Sequence, residues 1–227
     1  MNWLKKLNFN RIIVFMIYSD LLMISATGFL SPILAVFLTN QIRGGSLAVV
    51  GFATTIFWVV KSLLQIPVSW YVDKQGNDFL TYLFMVAGAA LASLVPLLYF
   101  FFARSAGQVY VLETLNGVGY ALMTTTWFAL FTKHIDERRE ATEWAMHSNA
   151  VGLGYAAAAA VGGVLADRFG FRLIFPLVSA LMFAGTAMLL FVSKDLIIME
   201  HRRVLTAISP AEESRRSDDR QKQMFTR

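Results

Sequence analysis

The chain alternates between apolar blocks about 23–27 residues long and short polar breaks. Six blocks stand out, at about 12–38, 47–72, 79–102, 109–131, 143–165 and 171–193. Each meets or exceeds the roughly 20 residues that an α-helix needs to cross a bilayer core and exceeds the usual length of a buried core helix. The connections are short, which makes consecutive helices antiparallel neighbours. The expected fold is an all-α membrane protein of six transmembrane helices. A cytosolic segment, 1–11, precedes a membrane domain at 12–195, and a polar cytosolic tail follows at 196–227. Ser209 and Pro210, followed by Glu212 and Glu213, mark a helix start within that tail.

The breaks carry the signs of tight helix junctions. Between the second and third spans the chain reads Ser69-Trp-Tyr-Val-Asp73-Lys74-Gln-Gly76-Asn77. Gly76 can take a positive φ where one helix ends. Asp73 stands where a carboxylate can cap the next helix or pair with a cation. Span 5 ends in Gly162-Gly163-Val-Leu-Ala-Asp167-Arg168-Phe-Gly170-Phe-Arg172. Upstream of it, Gly152, Gly154 and the run Ala156–Ala160 form a small-residue face that lets another helix backbone approach closely.

Composition agrees with the blocks. The 227 residues are 56% hydrophobic and 15% charged, with mean hydropathy +0.55, against about 25% charged in soluble domains. There is no cysteine, so no disulfide, thiolate nucleophile or Cys-based metal site is available. No P-loop, GxSxG or HExxH motif occurs, which leaves ATP hydrolysis and hydrolase chemistry without support. No enzyme activity and no cofactor are expected. The first span follows a basic start, carries Asp20 and lacks a small-residue cleavage site, so it reads as a membrane helix and not as a removable signal. With the N-terminus inside, the inner side holds Lys5, Lys6, Arg11, Lys74, Lys133, Arg138, Arg139, Lys194, Arg202 and Arg203. The outer side holds Arg43, Arg104, Arg168 and Arg172. Ten against four places both termini in the cytosol of a cell whose inner membrane the protein spans. The formal charge of +5 then needs no nucleic-acid partner.

Residues 69–77 resemble the signature between helices 2 and 3 of the major facilitator superfamily, roughly G-x-L-x-D-[RK]-x-G-[RK]. Val72, Asp73, Lys74 and Gly76 match; Ser69, Tyr71 and Asn77 depart from it. Residues 162–175 are similar to the helix 5 to helix 6 junction of the same family, at Gly162, Gly163, Gly170, Arg172 and Phe175, and Gly117 and Gly119 match a helix 4 G-x-G. The resemblance spans residues 10–195 and implies one six-helix half of a transporter. Family members join two such halves about a pseudo-two-fold axis along the membrane normal. It implies a parallel homodimer here, with a second identical subunit supplying the other wall, or else a hetero-partner.

Three ionisable groups lie at membrane depth, where an unpaired charge costs about 2.5–3.5 kcal/mol or more. Asp20 reads as a proton or substrate carrier, or as an ion pair with Lys61. Lys61 reads the same two ways. Glu113 stands where similar helix 4 signatures have Arg, a reversal that leaves a carboxylate able to bind hydroxyls, a cation or a proton. Asn116 is expected either at a cavity or in an interhelical hydrogen bond, and His147 as either a titrating or a hydrogen-bonded core residue. Trp127 reads as part of an interfacial aromatic belt, and Trp58 as lipid-facing or as a platform for a sugar ring. Helices 1, 2, 4 and 5 are expected to line a cavity, with the more apolar helices 3 and 6 facing lipid. Positions 158 and 159 are both Ala, where the drug-antiporter version has Gly-Pro. The function expected is a secondary or facilitative transporter of a small polar solute such as a sugar, working by alternating access with proton coupling open to it. An efflux pump for lipophilic compounds and a non-transporting adaptor acting through the tail are the alternatives.

Overall fold

The computed structural model describes residues 10–136 and 138–193. Most of residues 1–11 and the polar tail with its expected helix start lie outside the described residues. Six helices account for nearly all of the described residues: α1 (Arg11–Asn40), α2 (Leu47–Gln75), α3 (Asp78–Phe102), α4 (Ala106–His134), α5 (Glu140–Phe169) and α6 (Phe171–Ser193), whose first turn is 3₁₀. Each expected span is present, lengthened by one to four residues at most of its ends. α1, α2, α3, α5 and α6 are long and apolar enough to cross a membrane. α4 has the length, at 29 residues, without the apolar composition. It packs against both α2 and α3, and that contact shelters its polar side chains.

Capping chemistry fixes the breaks. Gly76 ends α2 at φ +60, and its N–H donates to the Val72 carbonyl. The cap of α3 is Asn77, whose side chain accepts from Leu80 N at 2.9 Å. This corrects the expectation for Asp73, which is exposed one turn earlier. Asn77 wins because it directly precedes the first helical turn, where its oxygen reaches an orphan N–H. Lys74 Nζ lies 4.9 Å above the Trp70 ring. Asp78 pairs with Lys133 at 2.5 Å and ties the start of α3 to the end of α4. With Lys133 39% exposed, that pair contributes no more than about 1 kcal/mol.

Close backbone approaches hold the helices together. α1 packs on α5, where a Cβ at Gly28 would lie 2.7 Å from the Tyr155 carbonyl oxygen and one at Gly162 would lie 2.7 Å from that of Phe29. The expected small-residue face of α5 is therefore real, but only part of it is used: Gly152 and Gly163 face open space. On α4, Gly117 lies against α2 and Gly119 against α3. α6 joins α1 and α3 through hydroxyls. Ser19 donates to the Gly185 carbonyl at 2.8 Å, Ser179 donates to that of Ser93 at 2.7 Å, and Ser93 and Thr186 share a bond of 3.0 Å. Such bonds substitute between apolar helices for the hydrophobic effect that lipid removes.

The two helices expected to be peripheral, α3 and α6, are more buried than α2 and α5, which were expected to line the cavity. In their most apolar windows, 44% of α3 and of α6 is buried, against 11% of α2 and 17% of α5. Their small and hydroxylated residues form packing faces, while Leu83, Leu94, Phe183 and Leu190 point outward. Phe15 near the start of α1 stacks on Phe191 near the end of α6, so both lie at the same end of the bundle.

Candidate functional site

α1 and α2 touch only slightly, and the gap between them is a cavity of ≈ 500 Å3 floored by α4. α4 brings Glu113, Asn116 and Tyr120 to it, at helical spacings of three and four that put all three on one face. Glu113 is 6% exposed. Its Oε1 accepts from the Tyr99 hydroxyl at 2.5 Å and its Oε2 from Asn116 Nδ2 at 3.3 Å. Tyr99 comes from α3, so a helix expected to face only lipid supplies a principal partner of the buried acid. Lys61 lines the opposite wall, its Nζ 4.8 Å over the Trp58 ring one turn earlier on α2. That ring is 55% exposed and lines the cavity.

Asp20 does not pair with Lys61. Its Oδ2 lies 2.6 Å from His147 Nε2, with both side chains nearly buried at 14% and 13% exposure. The reason is rotational phase. α1 presses its Asp20 side onto α5, whereas Lys61 projects into the gap that α1 and α2 leave open. The imidazole sits in an aromatic box, its ring centroid 4.6 Å from Trp127, 5.6 Å from Phe131 and 5.9 Å from Trp144. Trp127 is therefore no interfacial belt residue; it is 4% exposed and stacked on Phe131 at 4.6 Å. Asp20 and Glu113 lie toward opposite ends of the bundle, and Tyr120 lies within electrostatic range of both.

The junction residues lie apart from this cavity. Asp167 and Arg168 are exposed at the end of α5, Gly170 turns the chain at φ +81, and Arg172 lines a second cavity at that end. Asp73, Lys74 and Gly76 lie at the opposite end. Among the described residues, no group of three or more His, Asp or Glu is placed to hold a metal ion. Tyr99 and Tyr120 escape a reading of the chain alone. A tyrosine within an apolar span carries no local sign of its partner; only the 14-residue return from α3 to α4 brings Tyr99 onto Glu113.

The family model described as Major Facilitator Superfamily matches residues 16–222. The chain belongs to that superfamily. A transporter, and not an enzyme, is what membership in the superfamily points to. One relative, an uncharacterized MFS-type transporter of Methanocaldococcus jannaschii, is 26% identical over 148 residues, covering 65% of this chain and 36% of that protein. A crystal structure of the POT family transporter PepTSo shares the fold at TM-score 0.63 and 17% identity, covering 82% of this chain and 38% of that one. The chain thus spans little more than a third of the length of these superfamily relatives. Membership and the long apolar helices together make it a multi-pass membrane protein.

Proposed function

We propose that the chain forms one wall of a secondary transporter for a small polar solute, and that the solute binds in the cavity between α1, α2 and α4. The observation that carries this reading is a buried carboxylate, Glu113, held by two hydrogen bonds at membrane depth and facing that cavity. Ionisable side chains inside a bilayer are costly, and those that face a cavity mark substrate, ion or proton pathways. Glu113, Asn116, three tyrosines and the Trp58 ring suit a polyhydroxylated solute such as a sugar: carboxylate and amide bind hydroxyls, and the ring packs on the apolar face of a pyranose. The many aliphatic residues of α1 around the same cavity favour a second reading, a lipophilic compound leaving the membrane.

The Asp20–His147 pair is the proposed proton site. The pair joins α1 to α5 at 2.6 Å, so a proton taken up or released there would act on the contact between those two helices. The least buried helices, α2 and α5, are proposed to meet a second six-helix body, a parallel second copy of this chain. The two bodies would rock to open the cavity alternately to each side. Both termini lie on the cytosolic side in this arrangement, following the lysines and arginines of that face.

Two experiments test these points. Reconstituted protein is expected to take up a sugar or polyol faster when an inward proton gradient is imposed, and Asp20→Asn or His147→Gln is expected to remove that acceleration. Gradient-driven uptake that survives both substitutions would sink the proton site, and uptake of lipophilic cations alone would favour the second reading. Single cysteines at Leu63 of α2 or Val161 of α5, both exposed, are expected to trap a disulfide-linked species of twice the chain mass in membranes. The absence of native cysteine keeps that experiment unambiguous, and a species of single mass at both sites would overturn the homodimer.

A further inference from the structure

At the end of the bundle where α1, α3 and α5 finish, three connections converge on a second cavity of ≈ 300 Å3. Arg43 comes from the α1–α2 connection, Arg104 from the α3–α4 connection and Arg172 from the first turn of α6. The backbone holds the first two in register: Arg43 N donates to the Arg104 carbonyl at 3.0 Å, and Arg43 bridges Ser105 in parallel fashion. Gln41 adds a carboxamide, and Tyr99 and Phe175, stacked in parallel at 5.5 Å, form the floor. Among the described residues, no Asp or Glu lines this cavity. Glu113 lies beyond Tyr99, and Asp167 is exposed on the last turns of α5.

Three guanidiniums around one cavity repel one another, and no carboxylate of the lining offsets them. For Arg43 and Arg104 the position has a local reason, since each follows the negative end of a helix. Arg172 has none. It sits in the first turn of α6, at the positive end of the helix dipole, where a cation is disfavoured and an anion is stabilised. Guanidinium forks match the several acceptor oxygens of a phosphate better than any other side chain does. The last turn of α3 adds the exposed rings of Phe101 and Phe102, 53% and 55% accessible, just before Arg104. That combination puts a phosphate-binding charge cluster beside an apolar surface at the membrane interface.

We propose that Arg43, Arg104 and Arg172 bind the phosphate of an anionic phospholipid, with the acyl chains lying along the end of α3. The site shares Tyr99 with the solute cavity as a dividing wall, but its three arginines lie outside that cavity, and it stands whether or not solute transport by that cavity is upheld.

The test uses delipidated full-length protein in a neutral detergent, with phosphatidylglycerol, phosphatidylcholine and inorganic phosphate as probes. Phosphatidylglycerol is expected to raise the thermal midpoint by about 5 °C at saturating concentration, and to remain on the protein in native mass spectra. Phosphatidylcholine and inorganic phosphate are expected to give little shift. The triple variant R43Q/R104Q/R172Q is expected to lose the phosphatidylglycerol shift while its lipid-free midpoint stays level or rises, because mutual repulsion is relieved. The corresponding triple lysine variant, which keeps the charge and loses the fork, is expected to keep only part of the shift. Equal shifts with phosphatidylcholine, or an undiminished shift in the glutamine variant, would overturn the site. Inorganic phosphate reproducing the full shift would overturn the lipid as its source.

Discussion

Glu113→Gln is expected to lower solute uptake by about 100-fold or more, with little change in expression or thermal midpoint. The substitution keeps the shape of the side chain and its place at the cavity. It removes the charge that accepts from Tyr99 at 2.5 Å and from Asn116 at 3.3 Å. Hydrogen bonds to a charged group are worth about 1.5–3 kcal/mol each, so losing the charged acceptor of one or two solute hydroxyls accounts for a loss of that size. Folding should not suffer, since an amide is cheaper than a carboxylate to bury in a bilayer. Tyr99→Phe removes one donor and leaves the charge, and is expected to cost about tenfold. Counterflow in proteoliposomes, normalised to reconstituted protein, reads both. Wild-type exchange by Glu113→Gln would refute the central part of the assignment. A drop in thermal midpoint equal to that of a packing variant would show that Glu113 serves the fold alone.

Gly88→Val is expected to prevent accumulation of folded protein, and it is the largest structural effect anticipated for a single residue. A Cβ at Gly88 would lie 2.5 Å from the backbone nitrogen of Met123 and 2.7 Å from the Gly119 carbonyl oxygen on α4. These obstacles are backbone atoms, so no rotamer change relieves them, and α3 and α4 must separate. Overpacking usually costs about 1–3 kcal/mol; displacing two helices along a shared glycine contact belongs at or above the top of that range. The same separation would pull Tyr99 from Glu113. Gly51→Ala is the matched control. A methyl group at Gly51 would meet no atom within 4 Å, and the residue lies inside α2, so alanine there is expected to leave the thermal midpoint level or raise it slightly. Fluorescence-detected size exclusion and a thermal melt separate the two, and a Gly88→Val protein that melts with the wild type would refute the close contact.

The positions of the helices are open to reading from the chain alone. Span length follows from bilayer thickness, and helix ends follow from glycine, asparagine and proline chemistry a few residues either side. Both are local, so the apolar pattern places α2 from its first residue to within three of its last, and Gly76 is legible as the residue that ends it. The close-packing role of Gly162 is equally legible, because small residues on one face of an apolar helix have few other uses in lipid. The family follows from the same junctions.

The partners of the charged groups need the fold. Asp20 is compatible in depth with both Lys61 and His147, and depth is all that residue spacing supplies. What chooses between them is the rotation of α1 about its axis, and that is set by Gly28 and Gly162 locking α1 onto α5. Trp127 shows the same limit: an aromatic residue near a span end reads as interfacial until its neighbours are known. How many helices there are, where each begins and ends, and which residues would be costly to leave unpaired are thus all written in the chain. Who pairs with whom is a property of the assembled bundle, because local chemistry ends each helix while its azimuth depends on contacts with other helices, from Tyr99 with Glu113 to Asp20 with His147.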